Sequence, residues 1–319
     1  MTVANPIDFD QPDAPVSGPA RPIPRTAWGE LVSRPRTVFC LSIIGLYLLA
    51  GLASYLPIME RATIRTVGGS YDPPHLGVNP AVWFGTDILG RSVLWRVIYG
   101  TGVALTITAG TSILSLGIGT TLGVLAGYFG GWVDALVTWL FTTISSIPWI
   151  LLVVGIMFAL QGYEFANGES FKERFGDLPA IILALGLTDW VGLCRLLRGE
   201  VFKHREADYV TAARAAGAGT PRILVRHILP NVMHLVIITF SLGAVGYVQA
   251  EVALTFIGIG VSEKPSWGRM ITDSKLEILR GVWWEAAAAS AAIFVISWAL
   301  NIVGDALRDA LDPKLRGRN

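Results

Sequence analysis

The sequence predicts an all-α integral membrane protein, and three observations support this fold class. Hydrophobic residues make up 52% of the 319 residues and charged residues only 15%, whereas soluble domains carry about 25% charged residues. Several uncharged runs approach the roughly twenty residues that a helix needs to cross a bilayer. Basic residues gather between these runs, as expected of loops on the cytoplasmic side of a membrane.

Six runs are predicted to span the membrane, which places both ends of the chain in the cytoplasm. The first span is 37–57, and a core of residues 100–311 contains the others, at about 101–129, 134–160, 179–197, 232–257 and 286–303. The Pro-rich segment 1–36 is predicted to be a flexible cytoplasmic tail, and 312–319 a second one. Arginines before the first span and after the last favour this orientation.

The two longer outer segments are predicted to be 58–99 and 258–285. In the first, Asp87 is predicted to cap an interfacial helix that leads into the second span, because apolar residues recur at helical spacing after it. In that span, Gly119, Gly123, Gly127 and Gly131 recur at intervals of four. This spacing favours close packing against another helix over a flexible hinge.

Pro148 lies inside the third apolar run, where it is predicted to kink or break the helix. The run is then either one kinked span or two short segments. One span keeps segment 206–231 in the cytoplasm, and two would place it outside.

Segment 206–231, which we call the elbow, is a charged stretch between two long apolar regions. Residues Arg195 to Arg226 include seven Lys or Arg against three Asp or Glu, which makes this the most basic part of the chain and predicts a cytoplasmic location. A short helix is predicted from Asp208 to Gly217, ended by Gly217 and Gly219, since a glycine at a helix end can take a left-handed conformation. Thr220 is predicted to cap a second helix with Pro221 at its first position.

The elbow resembles the coupling loop of importer-type ABC permeases. Its pattern Glu-Ala-Ala, three residues, Gly, nine residues, Ile-x-Leu-Pro is matched by Ala212, Ala213, Gly217, Leu229 and Pro230, while Thr211 replaces the glutamate and His227 the isoleucine. The variant YVxAARAxGA…RHILPN of dipeptide and oligopeptide permeases is matched almost throughout Tyr209–Asn231. GTDILGR at 85–91 and EVALTFIGIGV at 251–261 are similar to the same subfamily, although Ser92 and Trp95 depart from its usual residues.

This resemblance implies the type I ABC importer permease fold, with cytoplasmic coupling helices, in a bacterial or archaeal cytoplasmic membrane. It implies a second homologous permease, two ABC ATPase subunits and an extracytoplasmic solute-binding protein as partners, besides the lipid bilayer. ATP and Mg²⁺ would bind the partners, and this chain would bind no cofactor. The elbow residues expected to couple to the ATPase are Tyr209, Thr211, Ala212, Ala213, Arg214, Ala216, Gly217, Ala218, Arg226, His227, Leu229 and Pro230.

Three acidic residues lie within or beside predicted spans, namely Asp134, Asp189 and Glu251. Asp134 is expected at the interface, whereas Asp189 and Glu251 are candidates for the transport pathway because intramembrane carboxylates are costly. Asp189 would either meet a cationic group of a substrate or partner helix, or pair locally with Arg195 or Arg198. Glu251 would serve either solute recognition or a contact between helices.

Other classes of function find little support in the sequence. A net charge of +1 disfavours nucleic-acid binding, two cysteines in apolar runs indicate no disulfide framework, and the four histidines lack metal-site spacing. No GxxxxGK[ST] phosphate loop and no hydrolase motif occurs, so no catalytic residue and no metal site is predicted. A permease importing di- or oligopeptides is expected, with nickel, glutathione or another small solute as alternatives, and a secondary transporter or channel as the alternative of another class.

Overall fold

A computed structural model of the chain describes residues 29, 31, 34–165 and 168–311. Their α-helices are α1 (Pro35–Ala53), α2 (Pro57–Ile64), α3 (Val93–Phe129), α4 (Gly131–Ser145), α5 (Trp149–Gln161), α6 (Phe171–Phe175), α7 (Asp177–Arg205), α8 (Asp208–Ala215), α9 (Thr220–Ile223), α10 (Leu229–Ile257), α11 (Trp267–Asp273) and α12 (Trp284–Leu311). A π-helical segment, Leu224–Ile228, joins α9 to α10. The predicted tail 1–36 lies mostly, and the tail 312–319 wholly, outside the described residues.

Five helical stretches are long and apolar enough to cross a bilayer alone, which confirms most of the predicted spans. They are α1, α3, α7, the continuous run Thr220–Ile257 and α12. The sixth candidate is the pair α4 and α5, which bend by 93° at their break. The fold is therefore all-α and integral to the membrane, as predicted.

The break between α4 and α5 lies where the sequence predicts it. Helix α4 ends at Ser145, and Pro148 is the N-cap of α5, so the proline begins a new helix instead of bending an old one. Proline lacks a backbone N–H and clashes with the preceding turn, which explains why the helix cannot continue through this position.

The connections at both ends show that α4 and α5 form one broken span. The end of α3 lies beside the end of α7, because Arg205 Nη1 donates to the Tyr128 carbonyl over 3.3 Å. The start of α7 lies at the opposite end of that helix, where Asp177 accepts from the Ser262 N–H over 2.8 Å. Between these two places the chain must cross the bundle, and α4 with α5 makes this crossing.

Helices α3 and α7 pack closely against each other through glycine. A methyl group added at Gly119, Gly123 or Gly127 would lie 2.9, 2.8 or 2.6 Å from the carbonyl oxygens of Trp190, Cys194 and Arg198, respectively. Only glycine allows the two backbones to approach this closely. Gly119, Gly123 and Gly127 therefore mediate close packing of α3 against α7, as predicted. Gly131 departs from the series because it lies beyond the end of α3, at the start of α4.

Helix α3 begins at Val93, so the prediction that Asp87 caps a helix is wrong. Ser92 is the N-cap and accepts the Trp95 N–H over 3.4 Å. Asp87 instead closes a turn, accepting the N–H groups of Leu89 and Arg91 over 2.9 and 2.8 Å. Segment 58–99 instead contains α2, which comes directly after α1, and the first two turns of α3.

A buried charge network ties segments 58–99 and 258–285 to the bundle. Arg96 on α3 donates from Nη1 to Asp87 over 2.8 Å and to Glu285 of α12 over 2.6 Å. The side chains of all three residues are at most 4% exposed. Asp273 at the end of α11 accepts from Arg96 Nη2 over 3.4 Å, so one guanidinium links the loop, α3, α11 and α12.

Candidate coupling surface and pathway face

The elbow folds as a helix, a sharp turn and a second helix, as predicted. Gly217 has a left-handed backbone conformation with φ +83. Two backbone hydrogen bonds close the turn. The Gly217 N–H donates to the Arg214 carbonyl over 2.9 Å, and the Ala218 N–H donates to the Ala213 carbonyl over 3.0 Å. This pair of bonds is the Schellman arrangement that ends helices at a left-handed glycine. One detail differs, because Gly219 rather than Thr220 is the N-cap of α9.

The inner side of the elbow is anchored on the membrane bundle. Val210, Ile223 and Ile228 are at most 1% exposed. They pack in one cluster with buried residues of α3, α7 and α10, namely Val124, Tyr128, Leu193, Leu197, Val201 and Val232. The elbow is therefore packed against three membrane helices. The spacing of its alanines in the sequence did not predict that Val210, Ile223 and Ile228 make these contacts.

The predicted coupling residues divide into an inner and an outer group. Those packed against the cluster are Tyr209, Ala213, Ala218 and Leu229. Those exposed are Thr211, Ala212, Arg214, Ala216, Gly217, Arg226 and Pro230, while His227 is half-buried. Small exposed residues of α8 and the turn thus form a shallow surface, and the aliphatic Val225, which sequence reasoning missed, is 67% exposed beside it.

Polar contacts hold α8 against the bundle. Tyr209 Oη lies 3.0 Å from His204 Nδ1 at the end of α7. Arg214 Nη2 donates to Tyr128 Oη over 3.4 Å, and its guanidinium lies 5.7 Å from the centre of the same ring. Arg214 therefore contacts the end of α3 while its side chain stays exposed.

The π-helical segment lies just before Pro230. The Leu229 N–H donates to the Leu224 carbonyl, five residues back, whereas an α-helix uses the fourth. A proline at the start of α10 removes one backbone donor and crowds the turn before it, which gives the wider turn a local cause. Helix axis and backbone nevertheless continue from Thr220 to Ile257.

The three acidic candidates have different surroundings. Asp134 on α4 pairs with Arg198 of α7, with both carboxylate oxygens accepting from the guanidinium. Glu251 is 1% exposed inside the protein; it accepts from Thr255 Oγ1 over 3.0 Å and lies against Gly268 of α11. Glu251 thus occupies a contact between α10 and α11 in this structure.

Asp189 is the exposed member of the three, on the middle of α7. It accepts from Tyr247 Oη over 2.6 Å and from Ser115 Oγ over 3.4 Å. The local pairing considered from the sequence is absent among the described contacts, because Arg198 binds Asp134 and Arg195 donates to Ser145 Oγ.

No metal site stands out in the part of the chain that the structure describes. No group of three His, Cys, Asp or Glu side chains is arranged to hold a metal ion there. The features that the fold does position are an exposed, small-residue elbow at one end and a broken span beside an exposed carboxylate in the middle. These define a polytopic membrane protein of the transporter class.

Comparison with known proteins identifies the family. Residues 119–317 match the model for "Binding-protein-dependent transport system inner membrane component", and the chain belongs to this family of multi-pass permeases. It is 36% identical over 235 residues to the dipeptide transport system permease protein DppC of Bacillus subtilis, covering 73% of this chain and 69% of that protein.

Two further relatives extend the similarity along the chain. The oligopeptide transport system permease protein OppC of Bacillus subtilis is 30% identical over 319 residues, covering 98% of both chains. The glutathione transport system permease protein GsiD of Pectobacterium atrosepticum is 32% identical over 247 residues, covering 77% of both. The resemblance seen in the sequence motifs is thereby confirmed.

Proposed function

We propose that this chain is one of two permease subunits of an ATP-driven importer of short peptides. The relatives are named for dipeptides, oligopeptides and glutathione, and glutathione is itself a small peptide, so a peptide is the solute class they share. A solute-binding protein would deliver the peptide from outside, a second permease would complete the pathway, and a pair of ATPase subunits would bind and hydrolyse ATP.

The elbow is the proposed dock for the ATPase. The main observation in support of this dock is that the elbow residues Val210, Ile223 and Ile228 are buried against the bundle. In contrast, Ala212, Ala216 and Gly217 are exposed. Side chains this small let a partner's backbone approach closely. Because α7 enters the elbow and the run from Thr220 to Ile257 leaves it, a force applied there would reach two membrane helices.

The same surface suggests the orientation of the chain. Arg34 and Asp309, near the two ends of the described residues, pair over 2.9 Å, so α1 starts where α12 ends. We infer that this end, the elbow and both termini are cytoplasmic, because the elbow and its flanks carry the highest density of basic residues.

Substitutions of exposed alanines test the dock. Ala212→Leu adds bulk to an exposed side chain, so we expect the permease to fold and insert but to lose co-purification with its ATPase subunits and peptide uptake. Ala291→Leu adds the same bulk to an exposed alanine of α12 and serves as the control. Normal ATPase binding by Ala212→Leu would contradict the proposed dock.

Thr211 offers a second, opposite test. The side chain is exposed, so Thr211→Glu introduces the carboxylate common in this motif without disturbing the packed side of α8. We expect this variant to bind the ATPase at least as tightly as the parent chain. Thr211→Val, which has the same shape without the hydroxyl, separates the effect of charge from that of size.

A further inference from the structure

Asp189 lies deep within the bilayer thickness. It is the thirteenth residue of α7, so it lies about 18 Å along the helix from its outer end at 1.5 Å per residue. The hydrocarbon core is about 30 Å thick. A carboxylate at this depth is costly unless it faces water or another protein group, yet Asp189 is exposed on the surface of the chain.

The carboxylate of Asp189 is oriented on one side and free on the other. Both hydrogen bonds, from Tyr247 of α10 and Ser115 of α3, end on Oδ2. Oδ1 has no partner among the described residues, and the two arginines further along α7 are held by Asp134 and Ser145. The site is therefore a fixed negative charge with one oxygen available and no cation of its own.

The break in the third span lies beside the same part of α7. A cavity of about 470 Å³ is lined by Ser145, Ser146 and Pro148 of the break together with Thr188 and Val191 of α7. Residues 145–150 are all exposed. Because broken helix backbone is not tolerated against lipid but is tolerated along a water-filled path or a protein contact, this face of the chain cannot be the lipid-facing one.

An open strip on α7 continues from Asp189 toward the elbow. Asp189, Gly192, Leu196 and Gly199 are exposed and recur at helical spacing. Side chains added at either glycine would meet nothing within 4 Å. The strip begins between the α4–α5 break, which Thr188 and Val191 line, and Tyr247 of α10. It provides an uncovered lane from the middle of the membrane toward the proposed cytoplasmic side.

We propose that Asp189, oriented by Tyr247, binds the protonated amino group of a peptide as it passes along this face. The inference rests on the proposed function, which supplies a solute with a positive end. An ammonium group would bond Oδ1 as a charge-assisted donor, while Tyr247 holds Oδ2. Tyr247 is a positioning residue, since it acts through the carboxylate.

The first test measures import by the complete transporter reconstituted in vesicles with a dipeptide bearing a free amino group. Asp189→Asn removes the charge at nearly constant shape, and we expect uptake to fall at least about tenfold, in line with the loss of a hydrogen bond to a charged group. Asp189→Glu should restore most of the uptake. Tyr247→Phe should give an intermediate loss that appears mainly in KM.

Assembly of the mutant transporter separates recognition of the solute from pairing with the second permease. Under the proposal, Asp189→Asn co-purifies normally with all subunits and keeps its ATP hydrolysis. Unchanged uptake would overturn the proposal, and so would loss of the second permease from the complex, which would mean that Asp189 pairs with a cation there. Absence of uptake by the parent transporter would instead contradict the proposed function.

A labelling experiment tests the location of Asp189 without any solute. The single cysteine of Asp189→Cys, in a chain whose Cys40 and Cys194 are replaced by alanine, should react with a cationic, water-soluble thiol reagent in the assembled transporter. Phe294→Cys on α12, where the native side chain is 68% exposed, provides a matched position on another helix. Reaction at 189 well above that at 294 is expected, and equal or lower reaction would overturn the proposal.

Discussion

Arg96 and Glu285 are separated by 189 residues of sequence, yet Nη1 of the arginine donates to Oε1 of the glutamate over 2.6 Å. The two side chains are 4% and 2% exposed. Asp87 accepts from the same Nη1 atom, so one buried cation contacts two buried carboxylates. The starts of α3 and α12 and the loop before α3 are joined by this group.

Removal of Arg96 should therefore strongly destabilise the protein. Arg96→Met keeps the apolar stem but leaves Glu285 without its cation and leaves Asp87 with Arg91 alone, and breaking a buried pair costs about 3–5 kcal/mol. Thermal unfolding of the purified permease in detergent measures the loss. Arg269→Met breaks a more exposed pair with Asp273 and should cost less than about 1 kcal/mol; similar losses in both variants would refute the role of burial.

The glycine contact between α3 and α7 gives a second prediction. A methyl group at Gly123 would lie 2.8 Å from the Cys194 carbonyl oxygen, so Gly123→Ala should push the helices apart and cost about 1–3 kcal/mol of stability. Gly117, on the same helix, has nothing within 4 Å, and Gly117→Ala should stabilise the helix slightly. The melting temperatures of the two variants test this prediction. A shift of the same sign in both variants would contradict the close packing at Gly123.

Tyr71 supplies a prediction about alkaline pH. Its hydroxyl donates to Glu277 Oε1 over 2.6 Å, and this hydrogen bond is the main cause that raises the pKa of Tyr71 to about 12. A phenol with a raised pKa stabilises the folded state fully below its usual pKa of about 10, and this stabilisation is lost between pH 10 and 12. Tyr71→Phe should lower the melting temperature at pH 8, and the difference from the parent should shrink above pH 10.

The turn of the elbow allows a matched glycine pair to be tested. Gly217 has φ +83, and an added methyl group would meet nothing within 4 Å. Gly217→Ala would therefore destabilise the turn only through its backbone conformation, by about 1 kcal/mol. Gly219 has φ −70, and an added methyl group would meet only Pro221 Cδ at 4.0 Å. We expect peptide-stimulated ATP hydrolysis by the assembled transporter to fall in the first variant only.

The locally determined features were predictable from the sequence. Pro148 interrupts the helix because proline lacks a backbone N–H, and Gly217 forms the turn because glycine readily takes a positive φ. Both effects depend on the residue's own backbone and not on its surroundings. The start of α3 was not predictable in this way, since Asp87 and Ser92 are both good capping residues. The choice between them depends on Arg91 and Arg96, which hold the Asp87 carboxylate in a turn.

The environment of Asp189 shows where sequence reasoning left the site undecided. Arg195 and Arg198 follow six and nine residues later, and residues at these separations do not face each other on a helix. Local pairing could thus have been disfavoured from spacing alone. Tyr247 could not have been named as the partner, because α10 meets α7 only through the tertiary fold.

The wide turn at 224–228 sets the rotational phase between the two ends of the run from Thr220 to Ile257. Each residue of an α-helix advances the chain by about 100°. The wide turn takes up one residue more than an α-helical turn, so restoring a regular α-helix with the same number of residues would rotate α9 against α10 by about that angle, leaving both helices intact. A permease altered in this way would remain folded, but a force applied at the elbow would reach α10 from a rotated direction.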